Sequence, residues 1–463
     1  YGSGKADRCD EEGWTLMPDQ TILTCDALNA PQTEKLVLST AQWISAGSTP
    51  QSLEDASSEE LGPMVLRPNG TVFAMGATGH NAVYTPGSTP GATGSWTAAP
   101  DFPSVPFNGQ PMPLDIADGP ACLLPSGNVI CQTSPGVYNT PSHFFEFDGS
   151  SLTEVSDVPN SLDDPSYVGD MLMLPTGQVL YTDQSQDVEV YTPTGSPQAA
   201  WRPAVSECPA VLAPGMSFIL QGTQLNGLSQ CSAYGDDSTN ATNYPLVQIT
   251  NTATGHVQYA RTHDHSTMAV ATGSATVSTH VDLPTNLETG AATLRVVTNG
   301  IASNPVSVTI ATKIVKGTVT LQNYSVSPNG VAVKLQIRHV GSTTALDSQS
   351  VVLDSSGSFQ MATTLAAGTY DIAVKGAHWL REKLGSKAIG SSGLSGLQFS
   401  LVNGDINGDN TVSLADFAIL KQAYGSTAGQ SNWNPNADLD GNGSVGLSDF
   451  GILKVRYGQS GNP

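Results

Sequence analysis

The sequence predicts a mainly β, multidomain chain that turns helical only at its C-terminal end, and three observations carry that expectation. Gly (47) and Pro (30) are abundant in 463 residues of which only 13% are charged, the composition of many short strands joined by tight turns. A proline-led turn signature recurs four times in the first two hundred residues. Near the end, two twelve-residue acidic segments each lead into an apolar stretch of helix length.

The length exceeds what one core fills and predicts about three domains. With 40 acidic against 18 basic residues the formal charge is −22, which disfavours a nucleic acid or an anionic membrane as partner. No apolar run reaches the roughly 18 to 20 residues that span a bilayer, and Tyr1-Gly2-Ser3-Gly4-Lys5 is not a signal peptide. The chain therefore reads as processed, secreted and extracellular. Six cysteines in three locally spaced pairs, with no CxxC, predict disulfides Cys9–Cys25, Cys122–Cys131 and Cys208–Cys231. The middle pair flanks the turn Pro125-Ser126-Gly127, which places both sulfurs across one hairpin.

The four turns are Pro18-Asp19-Gln20, Pro68-Asn69-Gly70, Pro125-Ser126-Gly127 and Pro175-Thr176-Gly177, their prolines 50, 57 and 50 residues apart. Pro presets φ at the first turn position and Gly accepts the positive φ that closes the loop, so each predicts a hairpin between buried strands; Gln20 is the one departure. Aromatic strands follow, as in Ala82-Val83-Tyr84-Thr85 before Trp96. Together with Glu11-Glu12-Gly13-Trp14-Thr15-Leu16 and His143-Phe144-Phe145-Glu146-Phe147, these residues resemble the kelch-like β-propeller of the galactose oxidase superfamily. The resemblance implies propeller blades over residues 1–203, either a closed four-bladed ring or part of a larger one, and an early-set immunoglobulin-like β-sandwich over 204–312. Residues 317–402 read as a second small sandwich, similar to modules that precede dockerins.

The strongest chemical signal is the run Asp405, Asn407, Asp409, Thr411, Ser413 and Asp416 at loop positions 1, 3, 5, 7, 9 and 12, repeated 33 residues on as Asp438, Asp440, Asn442, Ser444 and Asp449, with Gly446 at position 9. Oxygens at this spacing supply the shell a hard cation requires, so two calcium ions are the expected cofactors. The duplicated loop and helix resemble a type I dockerin over residues 403–463, which implies a cohesin-like protein partner; the chain's own preceding sandwich and another copy of the chain are the alternatives.

The propeller resemblance also raises a copper-radical oxidase, for which His263 and His265 are the candidate ligands, sharing one strand face. No Tyr-His pair accompanies them, and polar surface or interdomain roles are preferred for both. Tyr234-Gly235-Asp236-Asp237 reads as a turn or at most a third calcium site. The sequence thus points to a secreted calcium-binding scaffold, adhesion or structural protein. The alternatives are a copper oxidase acting on carbohydrates and a dockerin-borne subunit that binds polysaccharide in a multienzyme complex.

Overall fold

The computed structural model describes residues 2–8, 11–235 and 238–463. Each proline turn closes the same way: Arg67 N donates to Thr71 O and Gly70 N to Arg67 O, and equivalent pairs of bonds occur at Met17, Leu124 and Leu174. Gly70, Gly127 and Gly177 take φ of 84°, 90° and 84°, and Gln20 adopts 62° in the same place. The sequence departure at Gln20 therefore leaves the turn intact, at the cost of a left-handed non-glycine residue.

These hairpins seed four antiparallel sheets. The first runs Thr15–Leu16, Thr21–Cys25, Gln32–Val37 and Gln42–Ser48, and the second Met64–Leu66, Val72–Met75, Asn81–Thr85 and Ser95–Ala99. Pro120–Leu123, Val129–Pro135, His143–Phe147 and Leu152–Val155 form the centre of the third, and Asp170–Met173, Val179–Thr182 and Glu189–Tyr191 the fourth. Leading strands of successive sheets touch one another, and Phe73 of the second stacks on Phe147 of the third at 3.9 Å between ring centroids. A closed four-bladed ring is not what results, and kelch-like blades are not shown. The sheets form an open, half-barrel arc, and no comparable contact among the described residues joins the fourth back to the first. Instead a hairpin from far along the chain, Cys231–Tyr234 with Ser238–Ala241, adds to the free edge of Pro120–Leu123 and contacts Met64–Leu66 and Asp170–Met173. An unpaired edge is a liability that this insertion covers locally.

Two sandwich-like units follow. In the first, Ser217–Thr223 and Thr276–Asp282 alternate buried and partly exposed side chains and share one core with Leu246–Asn251, Gly290–Thr298 and Val306–Ile310. Strand Val257–His263 links its two sheets: Val257–Ala260 pair with one, Arg261–His263 with the other. In the second, Lys313–Leu321 lies between Ser358–Thr363 and Gly393–Leu401, facing the sheet of Ala345–Val352, Ala332–His339, Gly368–Gly376 and Glu382–Ile389 across a single core. No helix among the described residues is long and apolar enough to cross a membrane.

No disulfide joins the described cysteines, Cys25, Cys122, Cys131, Cys208 and Cys231, so the predicted Cys122–Cys131 and Cys208–Cys231 pairings need correction. Cys122 lies opposite Ile130 and Cys131 opposite Ala121. This one-residue offset sends the two sulfurs to opposite faces of the sheet, because side chains alternate along a strand. Cys131 Sγ instead meets Phe145 O at 3.7 Å. Cys231 sits on the inserted hairpin, its sulfur 3.8 Å from that of Cys122, while the half-buried Cys208 lies against Pro209 O. Cys25 packs against Met64 Sδ at 3.7 Å, and its expected partner Cys9 lies outside the described residues. Burial pushes the Cys25 and Cys131 thiols upward, as expected of inert packing groups. Peptide mapping of the unreduced protein, alkylated after denaturation, is expected to recover Cys131 as an alkylated thiol; a Cys122–Cys131 crosslink would overturn the assigned register.

Candidate calcium and partner-binding site

The first acidic loop leaves the second sandwich directly after Gly393–Leu401 and is fixed at its start, where the amides of Gly404 and Asp405 both donate to His378 O at 3.0 Å. The Asp405 carboxylate, at position 1, is fully buried. Its Oδ2 accepts from Asn410 N at 2.9 Å and from Lys375 Nζ at 2.6 Å, while Oδ1 is buried with no hydrogen-bond partner. Asn410, at position 6, takes φ of 75° and makes the sharp turn that lets the loop fold back on Asp405. Asp416, at position 12, is equally buried; its Oδ1 accepts from Asn407 N at 2.9 Å and its Oδ2 from Ser413 N at 2.7 Å. That second bond also caps helix α1, Leu414–Ala423, with the Ser413 side chain accepting from Ala415 N. Asp409 and Asn407 sit on the exposed rim, where Asp409 Oδ1 accepts from Thr411 N at 2.9 Å.

The second loop repeats this plan. Asp438 Oδ2 accepts from Gly443 N at 2.8 Å, Gly443 taking φ of 87°, and Asp449 bonds Leu439 N and Gly446 N, each at 2.7 Å, to cap helix α2, Leu447–Arg456. Asn442 and Ser444 hold each other on the rim through Ser444 Oγ, 2.6 Å from Asn442 Oδ1. Asp438, Asp440 and Asp449 bring carboxylate oxygens within 4.8 Å of one another. Burial, then the like charges of Asp449 and Asp440, raises the Asp438 carboxyl. Buried carboxylates converging on each loop, one with an orphaned oxygen, fit a hard divalent cation with all-oxygen ligands. Asp405, Asn407, Asp409, Asp416 and the Thr411 carbonyl would hold it in the first loop, and Asp438, Asp440, Asn442, Asp449 and the Ser444 carbonyl in the second.

Helices α1 and α2 meet through Phe417 and Phe450, 5.9 Å between ring centroids, over a core of Ile406, Val412, Leu420, Leu439, Val445 and Leu453. Both loops lean on the second sandwich. Ser325 donates its amide and hydroxyl to Asp440 O at 2.8 and 2.7 Å, Asn403 Nδ2 donates to Leu439 O at 2.7 Å, and Arg381 N donates to Asn410 Oδ1 at 2.7 Å. Gly441 is pressed on Tyr324: a Cβ there would lie 2.4 Å from the ring. The first turns of the helices, by contrast, leave Leu414 and Leu447 66% and 76% exposed. They occupy equivalent positions, one residue after each helix cap.

The copper candidates are not brought together. His263 faces His280 across the strands, 5.4 Å between ring centroids, whereas His265 turns to Thr279 Oγ1 at 3.0 Å and stands edge-on to Tyr244. His280 escaped the sequence reading because its neighbour on the sheet is distant in the chain. Asp236 and Asp237 lie outside the described residues.

Two outcomes are expected of the joint between sandwich and loops. Removing Lys375 leaves the Asp405 charge buried and uncompensated, so Lys375→Met should lower stability in chelator by about 3–5 kcal/mol and enlarge the gain in Tm on adding calcium. Equal calcium-induced shifts in both proteins, by thermal denaturation, would contradict the arrangement. His378, buried against Trp379, has its imidazole pKa lowered to about 3, mainly by burial. The unfolded state, with its ordinary value near 6.5, therefore binds more protons below that pH. Stability at saturating calcium should fall as pH drops from about 6.5 toward 3, by at most about 1.4 kcal/mol per pH unit from this group; denaturant titrations should show a shallower slope for His378→Phe.

Residues 403–456 match the family described as the dockerin type I domain. No curated protein matches the chain. Among solved structures, a type II cohesin–X–dockerin complex from Acetivibrio cellulolyticus is 22% identical over 32% of this chain and 97% of that one, with a TM-score of 0.27. SGBP-B of the mixed-linkage glucan utilization locus of Bacteroides ovatus, in complex with a mixed-linkage heptasaccharide, is 13% identical over 54% of this chain and 59% of that one, at 0.18. The major pilin subunit BcpA of Bacillus cereus is 12% identical over 59% of this chain and 85% of that one, at 0.15. These likenesses are too slight to carry fold or role across. The duplicated loops, their buried carboxylates and the family match agree on one statement: residues 403–456 form a type I dockerin domain, a calcium-binding module.

Proposed function

We propose that this chain is an exported component of an extracellular, cellulosome-like assembly, carried there by its dockerin domain, which a cohesin domain of another protein captures in the presence of calcium. The observation that carries this reading is the pair of exposed leucines at matching places on two calcium-organised helices, Leu414 and Leu447, on the module that matches the dockerin type I family. An apolar side chain left in water at each first turn offers a partner a desolvation gain of about 1.5–3 kcal/mol on full burial. The loops face the sandwich through Ser325, Tyr324 and Arg381, which leaves these helix starts available. The sheets and sandwiches before residue 403 then act as the cargo and spacer that the module attaches.

The test is isothermal titration of the full chain against a panel of purified cohesin domains. Binding is expected in calcium and absent in chelator, and Leu414→Asp with Leu447→Asp should weaken it at least tenfold. A chain that binds none of the cohesins, yet shifts from monomer to oligomer on adding calcium in light scattering, would replace the cohesin with a second copy of itself.

A further inference from the structure

We propose that the first sandwich carries a second kind of metal site, distinct from the calcium loops, in which His263, His280 and Asp264 bind a borderline divalent transition ion, taken here as Zn²⁺. Three things converge on it. His263 and His280 are paired directly across adjacent antiparallel strands, so both imidazoles rise from the same face of the sheet. Asp264, with φ of 47°, turns its carboxylate back onto His263 Nδ1 at 2.8 Å. One ligand atom from each of the three lies within 4.8 Å of the others, which small side-chain rotations bring to zinc-ligand distances of about 2.0–2.2 Å. Nitrogen donors distinguish this cluster from the all-oxygen loops and select zinc or copper over calcium.

The surroundings supply the orienting partners that ligand histidines need. Asp282 lies 3.2 Å from His263 Nε2, the ring nitrogen that Asp264 leaves free, and is itself held by Ser217 Oγ at 2.6 Å. Three protein ligands leave a fourth position for water or an external donor, and His263 is 31% exposed, so an ion can enter from solvent. The site also marks a mechanical weak point. Strand Val257–His263 pairs with Thr276–Asp282 through only Arg261, Thr262 and His263, and His263–His280 is the last of these pairs. An ion there would hold the end of the linking strand to Thr276–Asp282.

The test uses the full chain in excess calcium, titrated with Zn²⁺ against a chromophoric chelator. One equivalent retained, with a rise in Tm, is expected. His263→Gln and His280→Gln should each weaken zinc binding at least tenfold and abolish the rise in Tm. Asp282→Asn should weaken binding 10- to 100-fold, and His265→Gln should leave it unchanged. Circular dichroism and unaltered calcium binding establish that each variant is folded. Failure to retain zinc, or equal retention by wild type and His280→Gln, overturns the site.

Discussion

The constraint on which the C-terminal half depends is the burial of four carboxylates, those of Asp405, Asp416, Asp438 and Asp449, at the first and last positions of two short loops. Each buried charge costs several kcal/mol unless it is met by donors or by an ion. The loops answer with backbone: Asn410 and Gly443 turn so that their amides point at the first carboxylate, and the last carboxylate caps the helix that follows. Loop conformation and helix start are therefore one event. A cation that completes the ring of oxygens stabilises both helices and, through Phe417 and Phe450, their packing.

The same requirement explains why the second sandwich belongs to the site. Asp405 is fully buried where its loop meets the sandwich, and Lys375 on strand Gly368–Gly376 supplies the opposite charge at 2.6 Å. Ser325 and Asn403 fasten the backbone of the second loop on the same side, and Arg381 N holds the Asn410 side chain of the first. Calcium and sandwich act on the same carboxylate, so the two are coupled by its charge: the ammonium lowers the cost of the empty loop and competes for charge with the filled one. The outward side of the helices carries none of this burden and is free to present Leu414 and Leu447.

How far the sequence could be read follows from how local each feature is. The twelve-residue loops were legible because their ligands sit at fixed spacing within one segment, and the four proline turns because Pro and Gly fix φ residue by residue. Gln20 shows the limit even there, since its left-handed φ is imposed by the flanking strands and not by its own chemistry. The Cys122–Cys131 pair was misread because spacing cannot reveal which of two adjacent registers a hairpin adopts, and one residue decides the face. The hairpin of Cys231–Tyr234 and Ser238–Ala241 was invisible as a partner of Pro120–Leu123, because its contacts lie more than a hundred residues away. His280 was missed for the same reason, since alternation along one strand suggested His265 as the neighbour of His263.

The distribution of positive charge ties these parts together. With 18 cations against 40 acidic residues, an even scatter over the surface would leave the junctions between elements to repel one another. Several cations instead stand inside those junctions. Lys5 ties Glu12 to Glu34 of the first sheet, Arg67 reaches from the turn of the second sheet to the carbonyls of Gly127 and Asp148 in turns of the third, and the buried Arg338 donates to Pro463 O at 2.6 Å. Lys375 does the same for Asp405. Lys5 and Lys375 are bound to carboxylates that their folded neighbours have buried, where the interaction is worth more than in water. The two loops hold more buried carboxylate than nearby side-chain cations can match, and that deficit makes an external divalent ion part of the fold.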